Sequence, residues 1–200
     1  MTEQLNKIRK KLKHELDKGR YWHTMGVMYT ASCLAMRHGG DPQQAMLAGL
    51  LHDCAKCIPG ERQVHLCKKN HIHITEVERK NPFLLHSKLG AFLAHTEYGV
   101  KDGAVLHAIQ VHTTGAPDMS LLDKIIFVSD YIEPGRDKAP GLPLIRELAF
   151  LDIDGAALRI LHDTMHYLNQ KKGAIDPRTN EAYQFYLTDR NRKENLDGIT

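Results

Sequence analysis

Apolar residues recur at intervals of three and four along almost the entire chain, which is the spacing of one face of an α-helix. The first repeat consists of Leu5, Ile8, Leu12 and Leu16. Gly19 predicts the end of this helix, and a second helix is expected over 21–38, before two glycines. No segment shows the alternation typical of a strand, so the pattern predicts an all-α protein.

A third helix is predicted after Asp41-Pro42, which combines an N-cap residue with proline at the first helical position. The segment AMLAGLLHD that follows is apolar nearly all round and ends in His52-Asp53. A helix that is apolar on every face is expected to be buried. The pattern therefore predicts a central helix that carries two ionisable residues at its end.

The remaining pattern predicts several further helices, separated by glycine and proline. They are expected at about 61–69, 84–97, 102–112, 120–132, 143–149, 154–171 and 179–187. No internal repeat or composition change divides the chain, so residues 1–187 are predicted to form a single domain. Residues 188–200 are polar and are predicted to be a frayed tail.

Composition narrows the classes of function. The formal net charge is only +3 and the basic residues are scattered, which argues against a nucleic-acid partner. The chain opens with charged residues rather than an apolar signal segment, and no apolar run reaches membrane-spanning length. With four cysteines expected to be free thiols, these features predict a soluble, cytoplasmic protein with no membrane partner.

Thirteen histidines are the unusual feature of the composition, and several lie at predicted helix ends. His52-Asp53 closes the apolar third helix, where two ionisable groups are costly to bury unless they are partnered. A divalent metal could bind both, and Asp53 could bridge two ions through its two oxygens. A mixed nitrogen and oxygen ligand set suits iron, manganese or zinc. Residues from other helices could complete it, as happens in the cores of helical bundles.

Neither a single histidine nor a single His-Asp pair is specific. A lone histidine on an apolar helix is more often a hydrogen-bonded core residue, and a second pair, His162-Asp163, is interpreted as part of a solvated face. The C-x-x-C motif at 54–57, with His65 and Cys67, could form a zinc site. Its spacing matches no recognised finger, and ordinary thiols are the favoured interpretation.

The order His23, His52-Asp53 and Asp130 resembles that of the HD-domain metal-dependent phosphohydrolases. Within that superfamily the chain is similar to the YqeK family, which hydrolyses diadenosine tetraphosphate symmetrically to two ADP. The matching strings are RYWHTMGV, AGLLHDCAK, LLHSKLGA, AIQVHTTG, SDYIEPGR and, near the C-terminus, KGAIDPRTNEAYQFYL. The resemblance implies an all-α HD-domain helical bundle with a metal site in its core.

The resemblance also implies roles for individual residues. The metal ligands would be His23, His52, Asp53 and Asp130, holding one or two iron ions, with manganese or another divalent transition metal as alternatives. The catalytic residues would be Asp53, Lys56, His86 and His112. The substrate-binding residues would be Arg20, Asp53, Cys54, Ala55, Lys56, His86, His112, Asp130, Tyr131, Arg136, Gly173, Ala174, Ile175, Asp176, Pro177 and Arg178.

The chain departs from the family pattern at Ser129, Asp176 and Gln184, where alanine, histidine and asparagine are usual. None of these positions is a metal ligand. Asp176 and Gln184 are the departures expected to bear on recognition of the base.

The residue chemistry agrees with a highly anionic nucleotide substrate. Arg20, Lys56 and Arg136 neighbour the metal motifs, and arginine binds phosphate through two hydrogen bonds. The predicted mechanism is metal-assisted hydrolysis, in which the ion lowers the pKa of a bound water to about 7. His86 and His112 could either ligate a second ion or contact phosphate, and the sequence does not choose between these roles.

Two other functions remain open. The same metal site could act on a nucleoside monophosphate, a deoxynucleoside triphosphate or a guanosine alarmone. The protein could also be a nucleotide sensor whose hydrolysis is vestigial, although an intact ligand set argues against this. The expected partner is the nucleotide substrate, and a homodimer is left open.

Overall fold

A computed structural model describes residues 2–139, 141–171 and 173–197, and for 193–197 the backbone alone. The described residues form helices and connecting loops and include no strand, so the all-α prediction is confirmed. The helices are α1 (Glu3–Glu15), α2 (Lys18–His38), α3 (Pro42–Leu51), α4 (Gly60–Lys69), α5 (Glu76–Lys80), a 3-10 helix (Pro82–Leu85), α6 (His86–Thr96), α7 (Gly103–Val111), α8 (Leu121–Ile132), α9 (Leu142–Leu151), α10 (Ile153–Gln170) and α11 (Pro177–Asp197). No helix in these ranges is both long and apolar enough to cross a membrane.

The centre of the molecule is the buried helix α3, which packs against α2 along most of its length and against α7 and α8. Leu50 and Leu51 are fully buried there, as the apolar pattern predicts. The helices come close because Gly49 faces the backbone of Met28, where an added Cβ would lie 3.0 Å from the Met28 Cα. Asp41 caps the first turn of α3 by accepting a hydrogen bond from the Gln43 N–H at 2.7 Å.

The start of α2 differs from the prediction. Gly19 does not separate the first two helices but lies in the first turn of α2, which begins at Lys18. The break comes earlier, because the Asp17 side chain accepts a hydrogen bond from the Arg20 N–H at 2.8 Å and so caps the new helix. This cap places Arg20 and His23 on the first two turns of α2.

A smaller apolar cluster lies beside the main core, formed around Cys67, Leu85 and Leu89. The 3-10 helix contributes Leu85 to this cluster and packs against α5, and the pattern predicted neither of these two short elements. The α5 helix is held by a capping box between Thr75 and Glu78. Lys88 of α6 reaches Glu78 at 2.7 Å, so local hydrogen bonds and an ion pair stabilise a helix too short to show periodicity.

The C-terminal helix is longer than predicted. α11 continues through the polar residues to Asp197 rather than ending near position 187. Its buried residues Ala182 and Tyr186 belong to the main core. Residues 188–197 are therefore helical rather than an irregular tail, and residues 198–200 lie outside the described ranges.

Candidate metal centre

Six histidine and aspartate side chains from five helices meet in the core. His23 projects from the early part of α2, and Asp130 from the last turn of α8. His52 and Asp53 follow directly after α3. His86 is the first residue of α6, and His112 follows the last residue of α7. The predicted positions at helix ends are thus brought together by the packing of α2, α6, α7 and α8 around α3.

One half of this cluster surrounds the Oδ2 atom of Asp53. His52 Nε2 lies 3.4 Å and His23 Nε2 3.8 Å from that oxygen. His23 Nε2 also lies 3.0 Å from Asp130 Oδ1 and 3.3 Å from His52 Nε2. Ligand atoms of His23, His52 and Asp130 all lie within 4.8 Å of one another, a separation that one metal ion could span.

The other half surrounds the Oδ1 atom of Asp53. His86 Nε2 lies 3.2 Å and His112 Nε2 3.6 Å from this oxygen. The two ring nitrogens are 3.2 Å apart, and the Thr113 hydroxyl is 3.0 Å from that of His86. His52, Asp53 and His112 form a second group of ligand atoms within 4.8 Å of one another. The two oxygens of Asp53 therefore face two different histidine pairs.

In each of the four imidazoles the Nδ1 atom, which points away from the centre, already has a hydrogen-bond partner. The Nδ1 atoms of His52 and His112 donate to the carbonyl groups of Gly49 and Ile109, each at 2.7 Å. His86 Nδ1 is 2.5 Å from the Phe83 carbonyl, and His23 Nδ1 lies 3.1 Å from Glu133 Oε1. Because a neutral imidazole carries one N–H, these bonds leave the Nε2 lone pairs directed at the centre.

This arrangement fits a divalent cation. Bare Nε2 lone pairs and carboxylate oxygens repel one another at 3.0–3.8 Å unless positive charge lies between them. Asp53 Oδ1 is buried and has no hydrogen-bond partner among the described residues. Buried carboxylates without a partner are costly, and a metal ion would satisfy this one. The mixed imidazole and carboxylate donor set belongs to transition metals rather than to calcium or magnesium.

The pKa values of these groups follow from burial and neighbouring charge. Burial raises the pKa of Asp53, but the close approach of the His52, His112 and His86 rings outweighs it and holds the pKa well below its usual value. The pKa of Asp130 is lowered in the same way, with burial outweighed by its contacts with His23 and His52. Burial lowers the pKa of His86 to about 4. Asp53 and Asp130 are thus carboxylates and His86 is neutral, the states that ligate metals.

Three cations border the cluster, as predicted. Arg20 Nη1 lies 2.5 Å from Asp53 Oδ2, and Arg136 Nη2 lies 2.8 Å from Asp130 Oδ1. Lys56 Nζ is 3.1 Å from His86 Nε2, and burial lowers its pKa. All three cations adjoin the cluster, and the side chains of Arg20 and Arg136 are partly exposed. An anionic group that reaches the centre could therefore contact them.

A cavity of about 140 Å³ opens beside Asp130. Tyr131 and Arg136 lie on one side, and Thr113 and Thr114 on the other. Thr164 and Thr179 supply further hydroxyl groups, among apolar side chains of α8 and α10. A cavity that combines apolar walls with a few polar groups next to an ion cluster is typical of a small-molecule site.

The structure does not bring all predicted substrate-binding side chains to the centre. The Cys54 thiol is buried, lies 3.5 Å from the Gly90 carbonyl, and its pKa is raised by burial to about 12. Ala55 packs into the smaller apolar cluster. The Asp176 and Arg178 side chains line a separate small cavity beyond Thr114, while Gly173, Ala174 and Pro177 are exposed and Ile175 is half-buried in the same loop. Lys172 lies outside the described residues.

The alternative zinc site is absent from the described residues. Cys54 contacts Gly90, whereas Cys57 is exposed and donates a hydrogen bond to Asp17. Cys67 lies in the smaller apolar cluster, and all four cysteines are free thiols. No group of potential metal ligands among the described residues includes a cysteine. His162 is exposed as predicted, but Asp163 is mostly buried and pairs with Arg159, so that pair is not simply a solvated face.

Sequence reasoning gave no role to Glu133, which the structure places against His23. Its signal lay in the string SDYIEPGR, where a carboxylate follows Asp130 by three positions. Glu133 comes directly after α8, and only 5% of its side chain is exposed. A buried carboxylate against a metal-ligand candidate is a common outer partner of metal-binding histidines.

Comparison with known proteins yields consistent matches. Residues 20–135 match the model of the HD domain family. The chain is 40% identical over 179 residues to the symmetrical bis(5'-nucleosyl)-tetraphosphatase of Bacillus subtilis, covering 88% of this chain and 94% of that one. It is 32% identical over 184 residues to the protein of the same name from Staphylococcus aureus, covering 91% and 94%.

A solved structure is also similar. It is the crystal structure of a predicted HD superfamily hydrolase involved in NAD metabolism from Clostridium acetobutylicum. The TM-score is 0.89 at 39% identity, and the match covers 92% of this chain and 97% of that chain. The helical bundle predicted from the resemblance is therefore confirmed.

Proposed function

The chain belongs to the HD domain family, and on that premise we propose that it is a metal-dependent hydrolase that cleaves diadenosine tetraphosphate symmetrically into two ADP. Relatives of nearly the same length carry the name of this activity at 40% and 32% identity. The observation that carries the proposal is that four imidazole Nε2 atoms and two aspartates form one cluster in the core. Arg20, Lys56 and Arg136 border this cluster.

His23, His52, Asp53 and Asp130 would hold the metal ion. When bound, the ion would supply a nucleophile for phosphorus, because it would make a water acidic enough to lose a proton near neutral pH. The chain's own residues do the rest. Asp53 places one carboxylate oxygen beside each histidine pair. The hydrogen bonds made by the Nδ1 atoms keep the Nε2 lone pairs directed at the centre. A ligand set held in place in this way loses little freedom on binding.

The cations would hold the tetraphosphate. Arg20 lies beside Asp53 and Arg136 beside Asp130, and each can release its carboxylate contact to bind a phosphate. The charge that develops on phosphate oxygens during cleavage is stabilised by such fixed cations. Lys56 adjoins His86, and its lowered pKa makes it a better proton donor to the leaving phosphate.

The cavity beside Asp130 would take part of one nucleoside, with the Tyr131 ring at its wall and threonine hydroxyl groups as polar contacts. Asp176 and Arg178 in the loop at 173–178 lie beyond Thr114 and would meet the outer part of the same nucleotide. The backbone N–H groups of Cys54 and Lys56 already donate to Leu51 and Asp53. Near α3 we therefore assign substrate binding to the Lys56 side chain.

We propose iron as the metal, in one or two ions. The two ligand groups share His52, so a second ion would need His112 together with Asp53. Metal content per chain after anaerobic purification distinguishes the two counts. A value near two per chain assigns His86 and His112 to a second ion, and a value near one assigns them to phosphate. The cytoplasmic location and the homodimer stay predictions.

The test is product analysis with protein loaded with ferrous iron or manganese. Diadenosine tetraphosphate should give two ADP per molecule, separated by ion-exchange chromatography. AMP plus ATP would contradict symmetrical cleavage. Turnover of nucleoside monophosphates, deoxynucleoside triphosphates or guanosine alarmones, with no turnover of the dinucleotide, would establish the second enzyme function. Tight nucleotide binding without any turnover would identify a sensor.

A further inference from the structure

Three of the four central imidazoles are oriented by backbone, and the fourth is not. His52, His86 and His112 each donate Nδ1–H to the carbonyl three residues earlier, on Gly49, Phe83 and Ile109. These histidines lie where helices end or begin, and the carbonyl groups of a final turn have no partner within the helix. The local chain therefore orients each of these rings without help from elsewhere.

His23 has no such carbonyl, because it lies inside α2, which continues to His38. Within a continuous helix the backbone carbonyl groups are consumed by the i to i+4 hydrogen bonds. The outer nitrogen of His23 instead meets the Oε1 atom of Glu133, at 3.1 Å. We infer that Glu133 is the positioning residue that fixes the ring orientation and tautomer of His23, so that Nε2 is presented to the metal. This inference rests on the metal site of the proposed function.

Both oxygens of Glu133 are committed as acceptors. While Oε1 accepts from His23, Oε2 accepts from the Gly135 N–H at 2.6 Å. Arg146 donates to the carbonyl groups of Ile132 and Glu133, at 2.9 and 3.0 Å, and so anchors the end of α8. The Glu133 carboxylate is therefore fixed by the Gly135 N–H and by an anchored backbone, so it can hold the His23 ring in place.

Gly26 provides the space that Glu133 occupies. It lies one turn after His23 on α2, and a Cβ at this position would come within 2.4 Å of Glu133 Oε2. A glycine inside a helix is destabilising relative to alanine. The side chain of any other residue would displace the carboxylate from His23. The need for this space explains why a glycine stands at position 26.

The first test is Glu133→Gln, which preserves the size of the side chain. A glutamine has one acceptor oxygen, so its NH₂ group must face either the Nδ1–H of His23 or the N–H of Gly135. We expect the affinity for Mn²⁺ alone to fall by roughly 10–100-fold, the range typical of outer partners of metal-binding histidines. Nitrogen-15 NMR of the metal-free protein at neutral pH should show that His23 is a mixture of tautomers and no longer carries its proton on Nδ1 alone.

The second test changes neither Glu133 nor a ligand. Gly26→Ala should displace the carboxylate and reproduce both effects, the weaker Mn²⁺ binding and the mixed His23 tautomer. The helix should survive, because the atom it meets is the end of a flexible side chain and alanine favours helix. Gly103→Ala is the matched control: this glycine lies at the start of α7 with nothing within 4 Å of its Cβ position.

The inference is overturned if either variant keeps wild-type Mn²⁺ affinity and an unchanged His23 tautomer. A variant that melts at a lower temperature while both properties stay wild-type would also reduce Glu133 to a structural role. These measurements use the metal-free protein and the metal alone. A protein that binds Mn²⁺ normally but does not cleave diadenosine tetraphosphate would therefore contradict the proposed substrate and leave the inference on Glu133 intact.

Discussion

The chain contains the dipeptide His-Asp twice, and the two copies have different surroundings. At 52–53 the pair follows a buried helix, and 0% and 3% of the two side chains are exposed. At 162–163 the pair lies in the middle of α10, and 56% and 11% are exposed. Asp53 faces four imidazoles and Arg20, whereas Asp163 faces Arg159 one turn earlier on its own helix and the neighbouring His162.

The difference lies in what the rest of the molecule supplies. Asp163 finds its partners within four residues, so a local ion pair satisfies it. The partners of Asp53 come from α2, α6 and α7, which are distant in sequence. A helix end in the core is open to side chains from several directions, whereas the middle of an outer helix is not. The dipeptide becomes a ligand only at the first kind of position.

The largest expected contrast is between Asp53→Ala and Asp163→Ala. Asp53→Ala removes the carboxylate that both histidine pairs share, so metal binding and turnover should be lost together. The loss should exceed the roughly 10–100-fold typical of outer partners. Asp163→Ala should keep both properties and lower stability by about 1 kcal/mol, because its partner Arg159 is 43% exposed and solvent screens the ion pair.

Metal content and initial rates of the two purified variants decide this prediction. An Asp53→Ala protein that retains its metal would remove this residue from the ligand set. Loss of metal in Asp163→Ala would show that the second dipeptide is not independent of the site.

A smaller contrast is expected between the arginines that pair with aspartates in the two regions. Arg136→Ala should keep the metal but lower kcat by about 10²–10³-fold, since it removes a fixed charge beside the reacting phosphate. Arg159→Ala removes the partner of Asp163 on an outer helix and should leave kcat unchanged. Steady-state kinetics with parallel metal analysis measures both, and a normal kcat in Arg136→Ala would contradict its phosphate role.

The third prediction concerns stability against pH in the metal-free protein. Burial lowers the pKa of His86 from 6.5 to about 4 in the folded state. Between these values the unfolded chain binds a proton that the folded chain does not, so stability is present above pH 6.5 and is lost as pH falls towards 4. At pH 4.5 this loss should be roughly 2–3 kcal/mol.

Urea unfolding at pH 7 and pH 4.5 measures the loss for the wild type and for His86→Gln. The variant should lose less stability between the two pH values, because it lacks the buried imidazole. His162→Gln should lose as much as the wild type, since that ring is mostly exposed. Equal losses in the wild type and His86→Gln would refute the assignment.

Much of the fold could be predicted, because the spacing of apolar residues along the chain is enough to identify a helix with an apolar face. α3 and α8 were found close to their observed bounds for this reason. The errors occur where local hydrogen bonds rather than apolar spacing decide. The cap of Asp17 moved the start of α2 past the expected break at Gly19. The capping box of α5 made a helix of five residues that has no periodicity to detect.

The ligand candidates could also be predicted, since His23, His52, Asp53 and Asp130 are unusual residues at recognisable positions and their order resembles a known family. Their partners could not. Glu133 contacts His23 across 110 positions of sequence, and its one local signal, that it follows Asp130 by three positions, does not reveal this contact. Ala55 and the Cys54 side chain, which the resemblance placed at the substrate, turn inward instead.

The sequence by itself determined the helices and the residues able to bind a metal, because helix propensity, apolar spacing and side-chain chemistry are local properties. Tertiary structure alone decided which His-Asp pair forms the centre, which oxygen of Asp53 faces which histidines, and which carboxylate orients His23. These are distances of 3–4 Å between side chains from different helices. They are set by how the helices pack, and that packing minimises the free energy of the whole chain rather than of any one segment.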